Sequence, residues 1–338
     1  VGQTADRYDR RVIVALCRVA SAIAAATLAV GTLGGELTAG RILALVAVVG
    51  AARTFESPAT TALVASLVAR PLVPAAMAWS VSATQAARIV SPALGGVLYV
   101  LGAEVVYLAV ASLFLIAALL AAFIRAPNVQ RDREELTLDS FLSGILYIRN
   151  SRLLLGMMSL DLFAVLFGGA TALLPIYARD VLHTGPWGLG LLRSAPAVGA
   201  LATSIVLARY PIDRQVGRVM LRAVVVFGAA TVVFGASTHL ALSLLALAVL
   251  GASDVVSVVI RASLVQLRTP DAMRGRVSAV HSLFTGTSNQ LGEFESGLAA
   301  TLFGVVPAVL IGGLGTIIVA VVWTYFFPEL RRVSMLER

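Results

Sequence analysis

Residues 306–327 are VPAVLIGGLGTIIVAVVWTYFF, a run without a charged side chain. A helix that crosses a bilayer needs about 20 consecutive, mostly apolar residues, so this run is long enough to span a membrane. Similar runs recur along the chain, separated by short polar breaks. They lie near 12–33, 42–65, 75–100, 104–124, 153–178, 187–208, 219–237, 239–264, 277–302 and 306–327. The sequence therefore predicts a polytopic membrane protein with about ten transmembrane helices.

The composition excludes a water-soluble fold. Of the 338 residues, 59% are hydrophobic and only 13% are charged, whereas soluble domains carry about 25% charged residues. The alternating pattern of an outer-membrane barrel is absent, because the apolar runs are continuous. Since a helix satisfies its own backbone hydrogen bonds in lipid, the expected fold class is an all-α membrane protein.

Composition also limits the chemistry. The net charge is +8, and all 26 basic residues are arginine. Without lysine the chain has neither a nucleotide-binding P-loop nor a lysine that could form a Schiff base. The single Cys17 permits no internal disulfide, and the three histidines have no metal-ligand spacing. We expect no enzyme activity, no metal and no cofactor.

The arginines predict the orientation of the chain. Nineteen of the 26 lie in the loops and chain ends of one side, and only Arg41 and Arg179 lie in the opposite loops. Loops rich in arginine face the cytoplasm, so both ends of this chain are expected there, as an even number of spans requires. The positive charge thus indicates topology, and no nucleic-acid partner is expected.

A polar break over residues 125–152 divides the chain into a partial bundle of four spans, 1–124, and a bundle of six spans, 153–338. This cytoplasmic linker contains an amphipathic stretch near 138–148. Asp6-Arg7 followed by Arg11 recurs as Asp213-Arg214 followed by Arg218, with the same spacing. Two spans precede the second motif but not the first. We therefore expect two further spans ahead of Val1, either in a longer chain or outside this numbering.

Four segments carry a resemblance to a known family. They are Gly2-Gln3-Thr4-Ala5-Asp6-Arg7-Tyr8-Asp9-Arg10-Arg11, Arg53 to Pro58, Ser91-Pro92-Ala93-Leu94-Gly95-Gly96, and Arg274 to Ser278 with Asn289 to Gly297. The chain resembles the major facilitator superfamily, in the branch that contains the bacterial enterobactin exporter. Ser91 stands where the family's antiporter motif usually has glycine. The loop that contains the second Asp-Arg pair, residues 208–214, lacks the glycine present in residues 2–11.

The resemblance implies a monomer in the cytoplasmic membrane, with two helical bundles that open alternately to either side of the lipid bilayer. With no P-loop, export would draw on protons in antiport. The implied substrate is a siderophore or a drug-like amphipathic small molecule. Two alternatives stay open at this point: a multidrug exporter unrelated to siderophores, or a non-transporting remnant or partner subunit of a membrane complex.

Two sets of motif residues are expected to control the movement of the bundles. A carboxylate beside a helix N-terminus and nearby arginines can latch one conformation shut. The candidates for this gate are Gly2, Asp6, Arg7, Arg10, Arg11, Asp213 and Arg214. Proline bends a helix and small residues allow close packing, so Pro92, Gly95 and Gly96 are candidates for a bend.

Charged residues inside spans are the candidates for proton coupling or for lining a substrate cavity, because each costs at least about 2.5 kcal/mol at the bilayer centre without a partner. They are Arg53, Glu56, Arg88, Asp161, Asp254, Arg261, Glu293 and Glu295.

Spacing suggests how some of these charges are arranged. Arg53 and Glu56 are spaced to pair on one helix face. Asp254 and Arg261 share a face about 10 Å apart, too far for contact. Asp161 stands alone among apolar neighbours, which suits a proton carrier. The alternative is that these charges form structural pairs between helices.

Overall fold

The structure is a computed structural model that describes residues 10–69, 72–124, 138–210, 212 and 214–333. The chain divides into two compact units, Val1–Arg133 and Glu134–Arg338. The division falls inside the linker predicted over 125–152. No β-strand occurs in the described ranges, in agreement with the all-α prediction.

Four long helices make up the described part of the first unit. They are α1 (Arg10–Leu33), α2 (Ala39–Leu67), α3 (Val73–Leu98) and α4 (Ala103–Phe123), with a 3₁₀ turn at Tyr99–Leu101. α1 packs against α2 and α4. Its inward face includes the buried Ala24 and Ala29, and small side chains of this kind let neighbouring helices approach closely.

The described part of the second unit contains eight further α-helices of five residues or more. They are α5 (Leu138–Asn150), α6 (Arg152–Phe167), α7 (Pro186–Arg209), α8 (Val216–Ala236), α9 (Leu240–Arg268), α10 (Asp271–Phe303), α11 (Val305–Phe326) and the short α12 (Pro328–Arg332). α9 packs against α7 and α8, α11 packs against α8 and α6, and α6 also packs against α10. These contacts bring α6, α8, α9 and α10 together around a group of polar side chains that includes the buried Asp161 and Arg261.

The predicted span 153–178 is not one regular helix. α6 ends at Phe167 and is followed by a 3₁₀ segment, Gly169–Leu173, a single α turn and a π turn, Tyr177–Val181. Glycine weakens a helix, and a side chain at Gly169 would collide with the backbone of Gly292 on α10. The break thus accompanies a close approach between α6 and α10.

Nine of the ten predicted spans coincide with single helices, usually within a few residues, and 153–178 covers α6 and the irregular turns that follow it. The run 306–327, for example, corresponds to α11, Val305–Phe326. Seven helices are apolar and long enough to cross a membrane, counted over the described part of the chain. The other three predicted positions are occupied by α2, α3 and α10. The all-α membrane fold is therefore confirmed.

The amphipathic stretch predicted near 138–148 forms α5, which packs onto α10 of the second unit. A side chain at Gly144 would meet the backbone of Arg276, and the Arg276 guanidinium donates a hydrogen bond of 3.3 Å to the Ser143 hydroxyl. The predicted linker therefore contains a helix that belongs structurally to the second unit.

Candidate functional site: buried charges in the second unit

A buried ion pair joins α6 to α9. The guanidinium of Arg261 donates through Nη1 to Oδ1 of Asp161, and both side chains are only 6% exposed. Asp161 lies in the apolar segment Met157–Ala164, and Arg261 follows the buried Ile260. Breaking a buried ion pair leaves an uncompensated charge, so each of these two side chains requires the other to be charged at this buried position.

α10 adds two polar side chains to this pair. Thr285 donates its hydroxyl to Oδ2 of Asp161 at 3.4 Å. His281 lies one turn earlier on the same helix face, and its buried Nε2 has no hydrogen-bond partner among the described residues. Both carboxylate oxygens of Asp161 are therefore engaged, while one ring nitrogen of His281 is not.

A small cavity of about 20 Å³ adjoins the ion pair. A cavity of that volume accommodates one water molecule. Its polar lining comes from Asp161 and from four residues of α9: Ser253, Asp254, Ser257 and Arg261. Two buried donors of this lining, Ser257 Oγ and Arg261 Nε, lack partners within the described residues. Apolar residues of α6 and α8, such as Ala164 and Phe227, enclose the rest.

Asp254 is the carboxylate of this group that has no hydrogen-bond partner in the described part of the chain. It lies two turns before Arg261 on α9 and interacts electrostatically with both Arg261 and Asp161. Apart from the imidazole of His281, the group holds two carboxylates and one guanidinium. One bound proton would make it neutral.

Asp161 does not stand alone, because the packing of α6 against α10 and α9 supplies Thr285 and Arg261 as partners; that prediction was wrong. Asp254 and Arg261 do line one face of α9, and this face adjoins the cavity.

The first unit contains a different pair from the predicted one. Glu56 accepts a hydrogen bond from Nε of Arg18 at 2.9 Å, with side chains 18% and 27% exposed respectively. Arg18 also donates to the Ala117 carbonyl of α4. Arg53 is exposed, so the predicted Arg53–Glu56 pair was wrong. Arg18, in the face of α1 that packs between α2 and α4, reaches Glu56 instead.

Of the predicted gate, Gly2, Asp6, Arg7 and Asp213 lie outside the described residues, as does the side chain of Arg10. Arg11 donates to the Ile124 carbonyl at 2.9 Å, which ties the start of α1 to the end of α4. Arg214 is exposed. The gate itself stays a prediction.

The remaining candidates belong to neither of the two ion pairs described above. The side chain of Arg88 lies outside the described residues. Glu293 is exposed and Glu295 is half-buried on α10. No described contact brings either of them to the Asp161 group, which consists of Asp161, Asp254, Arg261, His281 and Thr285. Pro92 and Gly95 are half-buried inside α3, and Gly96 is buried.

Sequence reasoning missed His281, Thr285, Ser257 and Arg18 as members of these groups. The signal available for the first two was their spacing of four residues, which puts them on one face of α10. Uncharged hydroxyl groups in a membrane helix commonly bond to their own backbone, so Ser257 gave no distinct signal.

The fold defines a class: a polytopic membrane protein with the major facilitator fold. The structure aligns with the nucleoside transporter NupG with a TM-score of 0.70 at 16% identity, covering 96% of this chain and 86% of NupG. A POT family transporter in complex with 5-aminolevulinic acid aligns with a TM-score of 0.72 at 13% identity, covering 97% and 84% of the two chains. Similarity at this level of identity shows the fold alone.

The chain belongs to the family described as transmembrane secretion effector, which matches residues 1–336. Its relatives include the enterobactin exporter EntS of Citrobacter koseri, 27% identical over 336 residues, covering 98% of this chain and 80% of the relative. EntS of Escherichia coli O81 is 26% identical with the same coverage. The chain is therefore a transporter for a small molecule and not an enzyme.

Proposed function

We propose that this chain is a proton-coupled efflux transporter that exports a siderophore or a similar amphipathic small molecule across the cytoplasmic membrane. It would work as a monomer by alternating access, with both ends of the chain on the cytoplasmic side. Export is supported by the family description and by relatives named as enterobactin exporters. The orientation is supported by the arginine-rich loops of one side.

The observation that carries proton coupling is the group formed by Asp161, Arg261 and Asp254 beside a water-sized cavity. A charge without a counter-charge is costly in a buried site. Asp161 has an ion-pair partner in Arg261, whereas the half-buried Asp254 has neither an ion pair nor a hydrogen bond with a described side chain. Asp254 is therefore the residue we assign to carry the proton.

Coupling follows from the charge of the group in the two conformations. With a proton on Asp254 the group is neutral and suits a closed, dry interior. When the cavity opens to water, the ionised carboxylate is solvated and the proton leaves. A proton that binds from outside and is released inside would therefore favour one direction of the conformational change. The same change would carry the substrate out of the cell.

Other predicted residues have subsidiary roles in this proposal. Asp6 and the arginines near it, together with Asp213 and Arg214, would form the gate. Pro92, Gly95 and Gly96 would supply a bend in α3. The other candidates for contact with the substrate are Arg53, Glu56, Arg88, Glu293 and Glu295, each considered within its own unit. The arginines among them suit anionic or catecholate groups on the substrate.

The proposal is tested with purified protein in liposomes, with a pH-sensitive dye inside and a catecholate siderophore as the probe. We expect siderophore-dependent proton flux from the unaltered protein and its loss in Asp254→Asn. The matched control is Asp180→Asn, an exposed carboxylate of the same unit, which should keep the flux. Proton flux in Asp254→Asn equal to that of the unaltered protein would contradict the assignment.

The substrate is tested separately in cells. Deleting the gene should raise the retained siderophore and lower the secreted siderophore, and a protonophore should have the same effect on cells that keep the gene. Unchanged secretion in both cases would exclude a siderophore as the substrate. The proton-flux assay would then be carried out with another amphipathic substrate.

A further inference from the structure

A groove on the surface of the second unit combines three arginines with an apolar floor. It lies between α8 and α11, beside the short helix α12, and has a volume of about 430 Å³. The arginines are Arg218, Arg222 and Arg331, and the remaining lining is Leu221, Val225, Val226, Ala320, Val321 and Thr324. We call it the arginine groove. It does not include any residue of the Asp161 group.

The backbone sets the position of the three charges. Arg218 and Arg222 lie in the first two turns of α8, four residues apart and so on one face. The amide of Gly217 donates to the Val333 carbonyl at 3.1 Å, which fixes α12 against the start of α8. A side chain at Gly217 would collide with the Leu330 carbonyl. This close contact places Arg331 at the arginine groove.

The three guanidinium groups form no ion pair with a described residue. All three residues are exposed, and the ion pairs found in the described residues involve other arginines. Three arginines around one groove repel one another, so an anion there is stabilised. A ligand of the arginine groove should therefore carry negative charge at this end of α8.

Below the arginines the groove is apolar and open. Val226 and Val321 are 44% and 47% exposed, and Thr324 directs its hydroxyl to the Ala320 carbonyl of its own helix. α11 carries no charged residue, and α8 carries none beyond Arg222. Exposed apolar faces on two membrane-spanning helices suit hydrocarbon chains.

We propose that the arginine groove binds an anionic phospholipid. The phosphate group contacts the three arginines, and an acyl chain lies along Val225, Val226 and Val321. Basic pockets between transmembrane helices near the membrane surface are suited to anionic lipid headgroups. Inorganic phosphate would satisfy the arginines but not the apolar floor, so a lipid fits the whole groove.

The test measures binding of phosphatidylglycerol to the purified full chain in detergent, by native mass spectrometry across a lipid titration. A lysine or arginine near a membrane surface contributes about 1 kcal/mol, or about fivefold in affinity. We expect the triple variant Arg218→Gln, Arg222→Gln, Arg331→Gln to bind phosphatidylglycerol on the order of 100-fold more weakly. Phosphatidylcholine should bind weakly to both proteins.

Two further variants separate a lipid site from general attraction. Changing Arg149, Arg209 and Arg268 to Gln removes three exposed arginines that lie outside the groove, and binding should stay unchanged. Val226→Asn with Val321→Asn keeps the charges and should weaken lipid binding.

The proposal is overturned by any of three results: unaltered binding in the groove variant, equal loss in the control variant, or displacement of the lipid by millimolar inorganic phosphate. None of these results depends on transport, so they do not bear on the proposed export function.

Discussion

Arg261 and Asp161 are 100 residues apart in the chain, yet the guanidinium of one donates to the carboxylate of the other, and each side chain is 94% shielded from solvent in the second unit. The pair joins α9 to α6, the helix that ends early at Phe167. A single interaction thus connects the interrupted span to the helix that carries Asp254.

Removing one partner of this pair should be costly. We expect Arg261→Met to destabilise the protein by about 3–5 kcal/mol, because Asp161 is left buried without a counter-charge. The double variant Arg261→Met, Asp161→Asn should recover a large part of the loss. Thermal unfolding in detergent measures both. A double variant as unstable as Arg261→Met alone would show that the pair is not the cause.

Asp254 should affect pH dependence and leave stability nearly unchanged. No hydrogen bond to a described residue is lost in Asp254→Asn, so its melting temperature should stay near that of the unaltered protein. Its transport rate should lose most of its dependence on external pH, because the group can no longer exchange a proton there. The comparison is Thr285→Val, which removes a neutral contact to Asp161 and should keep the pH profile. If the pH dependence of transport persists in Asp254→Asn, another residue carries the proton.

The helices were predictable because membrane spans are encoded locally. An apolar run of about 20 residues is sufficient to form a spanning helix, whatever its neighbours. The interruption after Phe167 was not predicted, although Gly168, Gly169 and Pro175 are visible in the sequence. Glycines occur in most spans, and Gly199 and Gly251 approach a neighbouring backbone inside uninterrupted helices, so neither feature alone predicts the interruption.

The candidate site was predictable as a set of residues but not as a set of pairs. Charged residues are rare in apolar runs, so the sequence is sufficient to select Asp161, Asp254 and Arg261 as candidates. Their partners depend on which helices pack together, and spacing within one helix says nothing of that. Glu56 illustrates the difference: spacing favoured Arg53 of its own helix, whereas packing supplied Arg18 of α1.

The Arg18–Glu56 pair predicts a local effect in the first unit. Glu56→Gln should weaken the contact between α1 and α2 by about 1 kcal/mol, the upper range for a partly exposed pair. Faster amide hydrogen exchange in both helices would report it. Arg53→Gln is the matched control on the same helix and should leave exchange unchanged. Equal acceleration by the two variants would restore Arg53 as a partner of Glu56.

The contact between α7 and α9 should tolerate no side chain at Gly199. A Cβ there would collide with the Ala248 carbonyl, and one at Gly251 would collide with the Pro196 carbonyl, so the two backbones touch at two points. Gly199→Ala should therefore destabilise the protein by about 1–3 kcal/mol through overpacking. The control is Gly50→Ala in α2, where no atom lies within 4 Å of the added Cβ. That substitution should stabilise the protein by about 0.5–1 kcal/mol, since alanine favours a helix. Opposite shifts in melting temperature are expected, and a stabilised Gly199→Ala would show that α7 and α9 are further apart than described.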